Sequence, residues 1–366
     1  MTKIGIVGIG DISGIYLENI TETFKELQIV AVCDLIKERA LAAQEKYGIP
    51  KVYDTMHELF ADEEITLVLN LTRPYEHFEV SKAALLAGKH VYSEKPLGAS
   101  LAEGKELVKI AEEKGLMLGG APDTFMGAGI QTCRKLIDDG LIGDIVGANA
   151  AMICHGHETW HHDPEFYYKY GGGPMMDMGP YYITALINLI GGVKKVTGVT
   201  KISFPQRTIT SKEHYGEIID VDVPTYITGI MEFENGAVGN ITTTFDVFRS
   251  NNHNIEIFGS KGTLFVPDPN CFDGDITFYN GVTGETEEYP LAFDYAENSR
   301  ALGLADIAKA IETGRKPRTS YKQTYHVLEV MEAFKKSSDE GKTVEIESKF
   351  ERQAPLPENN THGILD

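Results

Sequence analysis

The sequence predicts an α/β fold class: an N-terminal doubly wound parallel sheet, then an α+β domain built on a large, mostly antiparallel open sheet. Three observations carry this reading. Up to about residue 119, short apolar runs alternate with helix-like stretches, the pattern of parallel strands joined by helical crossovers. The first apolar run ends in Gly8-Ile9-Gly10-Asp11-Ile12-Ser13-Gly14, a glycine loop that opens a helix. After Gly120 the rhythm becomes strand-rich, and Asn235-Gly236 joins two strand patterns as a tight hairpin would. The change of rhythm divides the chain into residues 1–122 and 123–366.

In the first part, strands are predicted over 3–8, 28–34, 66–71, 89–92 and 116–118, and helices over 12–25, 37–47, 56–61, 76–87 and 101–114. Thr55-x-x-Glu58 and Ser100-x-x-Glu103 read as capping boxes at two helix starts. In the second part, a helix over 125–139 leads into strands that include 147–154, 225–234, 237–245 and 254–258. One helix over 178–190 interrupts the strands, and helices over 302–313 and 321–338 follow them. The tail 353–366, rich in Pro and Asn, reads as loosely ordered.

Bulk composition limits the partners. The 366 residues carry 34 Lys plus Arg against 54 Asp plus Glu, a net charge of −20. That balance argues against nucleic acid or an anionic membrane surface, which need a basic footprint, but leaves room for a small anionic ligand at a local positive site. Cys33, Cys133, Cys154 and Cys271 are scattered with no C-x-x-C pair, as in a reduced, cytoplasmic protein. The first strand begins almost at once, which leaves no room for a signal peptide. No run approaches the roughly 18 apolar residues of a membrane span.

The glycine loop points to a dinucleotide. The G-x-G-x-x-G fingerprint uses glycine for the turn and for close approach of a pyrophosphate to a helix N-terminus. Here Gly8, Ile9, Gly10, Asp11 and Ile12 fit the loop, Ser13 holds the third glycine position, and Asp34 closes the second strand. A carboxylate there accepts hydrogen bonds from ribose hydroxyls and repels a 2′-phosphate, favouring NAD over NADP. Lys37 and Arg39 just downstream either soften that preference or are solvated helix charges. The next strand ends in Leu71-Thr72-Arg73-Pro74, followed by His77, along the same cofactor edge. Lys95 stands in Glu94-Lys95-Pro96 at the end of another strand, where open α/β sheets place their ligands.

The Gly8 loop, Thr72-x-Pro74-x-x-His77 and Glu94-Lys95-Pro96, in this order, resemble the Gfo/Idh/MocA oxidoreductases. Gly171-Gly172-Gly173-Pro174-Met175-Met176-Asp177-Met178-Gly179 and Tyr325-His326-Val327-Leu328-Glu329 extend the resemblance over the chain. It implies an NAD(P)-binding Rossmann domain, and a C-terminal domain whose open sheet carries the substrate site and often an oligomer interface. It implies oxidation or reduction of a sugar or cyclitol hydroxyl, and a homodimer or homotetramer. Carried over, Lys95 is the catalytic lysine, Asp177 the active-site aspartate, and Leu71, Arg73, Glu94 and Pro96 line the cofactor. Two positions depart: Tyr181 stands where the family commonly has a histidine, and Ala121-Pro122-Asp123-Thr124 stands where many relatives have Asn-x-Arg.

Oxidising a secondary alcohol needs a hydride acceptor and a proton acceptor within hydrogen-bond reach. A tyrosine at its ordinary pKa of about 10 is a poor base at neutral pH, and a nearby ammonium would lower it. Lys95 and Tyr181 are therefore a candidate couple, with His157 or His161 next in line. Asp177 would hold the lysine charged or bind a substrate hydroxyl; it also suits an N-cap ahead of a helix whose first turn holds Pro180.

The segment His155-Gly156-His157-Glu158-Thr159-Trp160-His161-His162-Asp163 reads as a substrate-lining loop, with Asp123, His157, Trp160 and His161 as substrate contacts and Tyr167, Tyr168 and Tyr170 extending an aromatic wall. The i, i+4 spacing of His157 and His161 matches two metal ligands on a helix. The glycine and the strand-like approach argue against a helix there, and no metal is expected. Two other function classes stay open: a glycoside hydrolase using transient oxidation by NAD, and a non-catalytic NAD-sensing protein.

Overall fold

The protein is described by a computed structural model that covers residues 1–358 and 361–366. In chain order its first elements are β1 (Thr2–Val7), α1 (Ser13–Glu22), β2 (Leu27–Cys33), α2 (Lys37–Tyr47), β3 (Lys51–Tyr53), α3 (Met56–Ala61), β4 (Leu67–Asn70), α4 (His77–Leu86), β5 (His90–Ser93), α5 (Leu101–Lys114) and β6 (Leu118–Gly120). Next come α6 (Ala128–Asp138), β7 (Ile145–Ile153), α7 (Pro174–Leu189), β8 (Val193–Lys201), β9 (Gln206–Thr208), β10 (Ile218–Asp220), β11 (Tyr226–Phe233), β12 (Val238–Thr244), β13 (Ile255–Gly259), β14 (Gly262–Val266), β15 (Ile276–Asn280) and β16 (Thr286–Tyr289). Last are α8 (Leu302–Thr313), α9 (Tyr321–Glu340) and β17 (Val344–Glu345).

Two compact units result. The first comprises residues 1–127, 293–325 and 356–366; the second comprises 128–292 and 326–355. The sequence had assigned all of 123–366 to the second domain. The stretch around α8 instead packs with the first unit, because Gly119 at the sheet edge bridges Ser320 and Asp123 binds the start of α8. The tail is also tied down there. Leu356 and Leu365 are buried, and the Asp366 carboxylate meets Arg318, which in turn pairs with the buried Asp306. This corrects the expectation of a loose tail for its described residues; residues 359–360 lie outside them.

The first unit is built on a six-stranded sheet of order β3-β2-β1-β4-β5-β6, all parallel. Its strands read as apolar runs because both faces are covered: Ile4, Ile6, Leu67, Val68, Leu69, Val91 and Tyr92 are all sealed from solvent. The order reverses beside β1, which puts the glycine loop at the topological switch point where such sheets bind ligands. The Thr55 capping box is present in both arms. At α5, Ser100 caps as expected, but Glu103 reaches back to the Ala99 amide rather than to Ser100.

The second unit is built on a nine-stranded sheet of order β16-β15-β14-β13-β7-β12-β11-β8-β17. Only β7 and β12 run parallel, and the β11–β12 hairpin turns at Asn235-Gly236, with Gly236 at φ 89°. One face is the core: Met231, Ile241, Ile257, Leu264 and Val196 are buried there. The opposite face alternates outward, with Val199, Ile230, Val238 and Tyr279 exposed. Among the described residues, no helix is long and apolar enough to cross a membrane.

Candidate active site

In the first unit, local sequence shapes a nucleotide cradle. Gly8 adopts φ +96°, and a Cβ there would lie 2.8 Å from the Leu71 carbonyl and 2.9 Å from the Thr72 nitrogen. Both contacts are backbone, so only glycine lets the loop rest on the end of β4. Above Gly10 there is open space, where a pyrophosphate would lie. Ser13 explains its place in the fingerprint: its amide and hydroxyl both bond to the Gly10 carbonyl, at 3.1 and 2.7 Å, closing the turn. The N-terminus of α1 has no side-chain cap and no acidic residue in its first turn. Its amides and positive dipole end suit an anion.

Asp34 holds this loop. Its Oδ2 accepts from the Ile9 amide at 2.6 Å and its Oδ1 from the Ile36 amide at 2.7 Å. A carboxylate has about four lone-pair sites, so each oxygen retains capacity for a ribose hydroxyl. The residues present therefore fit a dinucleotide: Gly8 to Ile12 for the phosphates and Asp34 for the ribose.

Several neighbours predicted to touch the cofactor act as struts. His77 is buried, with Nδ1 2.7 Å from the Pro96 carbonyl and Nε2 2.9 Å from the Thr72 carbonyl. It pins the 72–76 loop to the Lys95 turn. Two carbonyl partners would favour an imidazolium, yet burial outweighs them and lowers the His77 pKa. Glu94 is buried as well: Oε1 accepts from the Tyr16 hydroxyl at 2.6 Å and Oε2 from the Lys95 amide at 3.0 Å. Burial, reinforced by Glu94, pushes the Tyr16 phenol well above its usual range. Lys95 follows β5 directly and is half-buried, and the Lys95–Pro96 bond is cis. Arg73 lies on the exposed rim, where it donates to the Tyr75 hydroxyl at 3.1 Å.

Asp123, expected to contact substrate, is bonded within the chain itself. It is 1% exposed, and its Oδ2 accepts from the Ala301 and Gly303 amides at 3.1 and 3.0 Å. It caps α8 from a distant part of the chain, where Ala301 takes the left-handed conformation with φ 88°. Burial raises its pKa to about 6, partly opposed by the Gly303 hydrogen bond and Arg300.

In the second unit, β7 delivers the chain into the 155–163 segment, which is not helical. His157 Nε2 lies 3.2 Å from Asp177 Oδ2, with the two side chains 14% and 17% exposed. Asp177 is not an N-cap. α7 begins one turn earlier than predicted, capped by Gly173, and the Asp177 amide already bonds to the Gly173 carbonyl at 3.0 Å. Pro180 therefore lies inside the helix. Tyr181, one turn beyond Asp177 on the same helix face, is 8% exposed. The rings of Tyr167, Phe245 and Trp160 surround His157 at 4.2, 4.6 and 5.3 Å between centroids. Trp160 is 62% exposed, and His161 stacks on His162 at 4.6 Å.

What locks this segment escaped sequence reasoning. The buried Arg207 on β9 pairs with Glu158 at 2.9 Å and with Asp246. Glu158 also accepts from the Tyr168 hydroxyl, and its carbonyl takes the Thr210 and Ser211 amides. Tyr168, predicted as part of a substrate wall, is fully buried in this network. No motif or spacing links these residues in the sequence; a lone arginine in a short strand was the only signal.

A profile described as the oxidoreductase family with an NAD-binding Rossmann fold matches residues 2–120. A profile of the GFO/IDH/MocA C-terminal domain matches residues 130–265. The chain is similar to the myo-inositol 2-dehydrogenase of Thermotoga maritima, 25% identical over 94% of this chain and 98% of that protein. It is also similar to D-xylose 1-dehydrogenase (NADP(+)) 2 of Haloferax volcanii, 23% identical over 88% of this chain and 93% of that one. A levoglucosan dehydrogenase solved with NADH and L-sorbose shares the fold, with TM-score 0.81 and 21% identity over 95% of this chain and 99% of that one. With the profiles of both domains matched in order along one chain, the protein belongs to the Gfo/Idh/MocA family of NAD-binding oxidoreductases.

Proposed function

We propose that the protein transfers a hydride between NAD and a hydroxyl-bearing carbon of a sugar or cyclitol. The observation that carries this reading is the cradle itself: an Asp34-clamped glycine loop, open above Gly10, on the sheet that also carries Lys95 at the end of β5. The substrate class is supported by the relatives, named for inositol and xylose oxidation.

The bound nicotinamide supplies the hydride acceptor. The remaining work falls to side chains. Lys95 is assigned to the reacting hydroxyl, where a positive charge stabilises the oxygen as its proton leaves. Asp177 accepts a hydrogen bond from the substrate and fixes its orientation. Tyr181 is the candidate to carry the proton. Trp160, with its exposed ring, is proposed as a face for the sugar. Asp34 favours NAD over NADP, because a 2′-phosphate would meet a carboxylate. The test is a screen of polyols and sugars with each cofactor, following absorbance of the reduced nicotinamide. Turnover with NAD at least tenfold above NADP is expected. Tightly held NAD with glycoside cleavage and no accumulated NADH would move the protein to the hydrolase class.

We also propose a homo-oligomer in a reducing cytoplasm. The outward sheet face with Val199, Ile230, Val238 and Tyr279 is suited to a second copy, most simply by two-fold symmetry. Among the described residues no disulfide joins the cysteines. Light scattering should give a dimer or tetramer; a monomer at micromolar concentration would remove the interface.

A further inference from the structure

The chain lacks the histidine its family commonly places at position 181, yet an imidazole reaches Asp177 from another element. His157, on the segment after β7, brings Nε2 to 3.2 Å from Asp177 Oδ2. An ionised carboxylate only accepts, so Nε2 carries a hydrogen; in the neutral ring Nδ1 then carries the lone pair. That Nδ1 is buried and has no hydrogen-bond partner among the described residues. The rings of Tyr167, Phe245 and Trp160 enclose the imidazole.

The two fully buried histidines behave differently, while the half-buried His155 also leaves its Nδ1 without a partner among the described residues. His77 sets both nitrogens on carbonyls. His326 accepts from the Val193 amide and meets the Ser348 hydroxyl. A histidine kept for packing uses both nitrogens, because an unpaired buried polar atom is costly. His157 spends its one hydrogen bond on Asp177 and leaves the other nitrogen unpaired. Its backbone position is held by the next residue, Glu158, through Arg207, Tyr168 and the 210–211 amides.

We propose that His157 is a positioning residue for Asp177. Its Nε2–H keeps the carboxylate ionised and in one orientation, ready to accept from the substrate hydroxyl. It thereby supplies, from a different element, part of the support that a histidine at 181 would give. This rests on the dehydrogenase reading above.

Two substitutions separate support from bulk. In His157→Gln the amide nitrogen falls where Nε2 lies; in His157→Asn it falls where Nδ1 lies. With a polyol found by the screen, His157→Asn should lose kcat about 10²-fold, the scale of a misplaced reacting group. KM should stay within a few-fold and NADH affinity, read by nucleotide fluorescence, should not move. His157→Gln should recover most of the lost kcat. Equal kcat in the two variants, whether both active or both dead, overturns the proposal. An arm independent of turnover uses ¹⁵N NMR of the imidazole. His157 should be a single Nε2–H tautomer in the wild type and a mixture in Asp177→Ala. Identical tautomer populations in both proteins overturn the pairing. A wild type that oxidises no polyol defeats the dehydrogenase reading alone, and the NMR result still decides the pair.

Discussion

Lys95→Ala is expected to lower turnover by at least about 10³-fold while leaving NAD affinity within a few-fold. The first half follows from charge: the substrate oxygen becomes negative as the hydride and proton separate, and fixed positive charge there is worth roughly 10²–10³ in rate, with proton transfer adding to it. The second half follows from the architecture. The residues that fit the dinucleotide, the Gly8 loop and Asp34, are bonded to each other and to the strand ends. The turn is held by Glu94 through Tyr16 and by His77 through Pro96, so truncating the lysine should not collapse it. Lys95→Arg separates two roles. Arginine keeps the charge but does not give up a proton at any working pH. Partial recovery in Lys95→Arg would mark a role in charge; none would mark one in proton transfer. Hydride transfer near the wild-type rate in Lys95→Ala would remove the lysine from the mechanism.

Arg207→Leu is expected to cost about 3–5 kcal/mol of stability, the range for leaving a buried charge without its partner. Glu158 and Asp246 would both lose their cationic partner, with side chains 6% and 4% exposed. The Phe245 carbonyl would lose its 2.7 Å bond from Nη2, and Phe204 and Tyr168 would lose a guanidinium packed at 5.0 and 5.4 Å. The Thr225 hydroxyl would still serve Asp246, at 2.8 Å, and the Tyr168 hydroxyl Glu158. Because Glu158 adjoins His157, the same substitution should loosen the 155–163 segment before the unit unfolds. Urea denaturation read by Trp160 fluorescence, that tryptophan being the only one in the chain, would show an early shift. A change below about 1 kcal/mol would mean the carboxylates find other partners.

These two residues mark what was and was not legible in the sequence. Lys95 and the Gly8 loop were readable because their meaning is local: a strand end, a turn, a helix start. The parallel strands announced themselves as apolar runs because both faces are buried. β3 did not, since its three residues are only half-buried. The start of α7 was missed because Gly171-Gly172-Gly173 read as loop and Pro180 as a first-turn residue, whereas Gly173 at φ 91° is itself the cap. The capping role of Asp123 is not legible, because its partners, the amides at 301 and 303, are remote in the chain. Arg207 and the His157–Asp177 pair are likewise long-range contacts, and no periodicity encodes them.

The most direct measurement follows the hydride itself. A polyol deuterated at its carbinol carbons, incubated with NAD and the protein, is analysed by mass spectrometry of the recovered nucleotide. The account predicts one deuterium in each reduced nicotinamide, lost in Lys95→Ala. Oxidised product without labelled nicotinamide, or no reduced nicotinamide from any polyol tried, would contradict it.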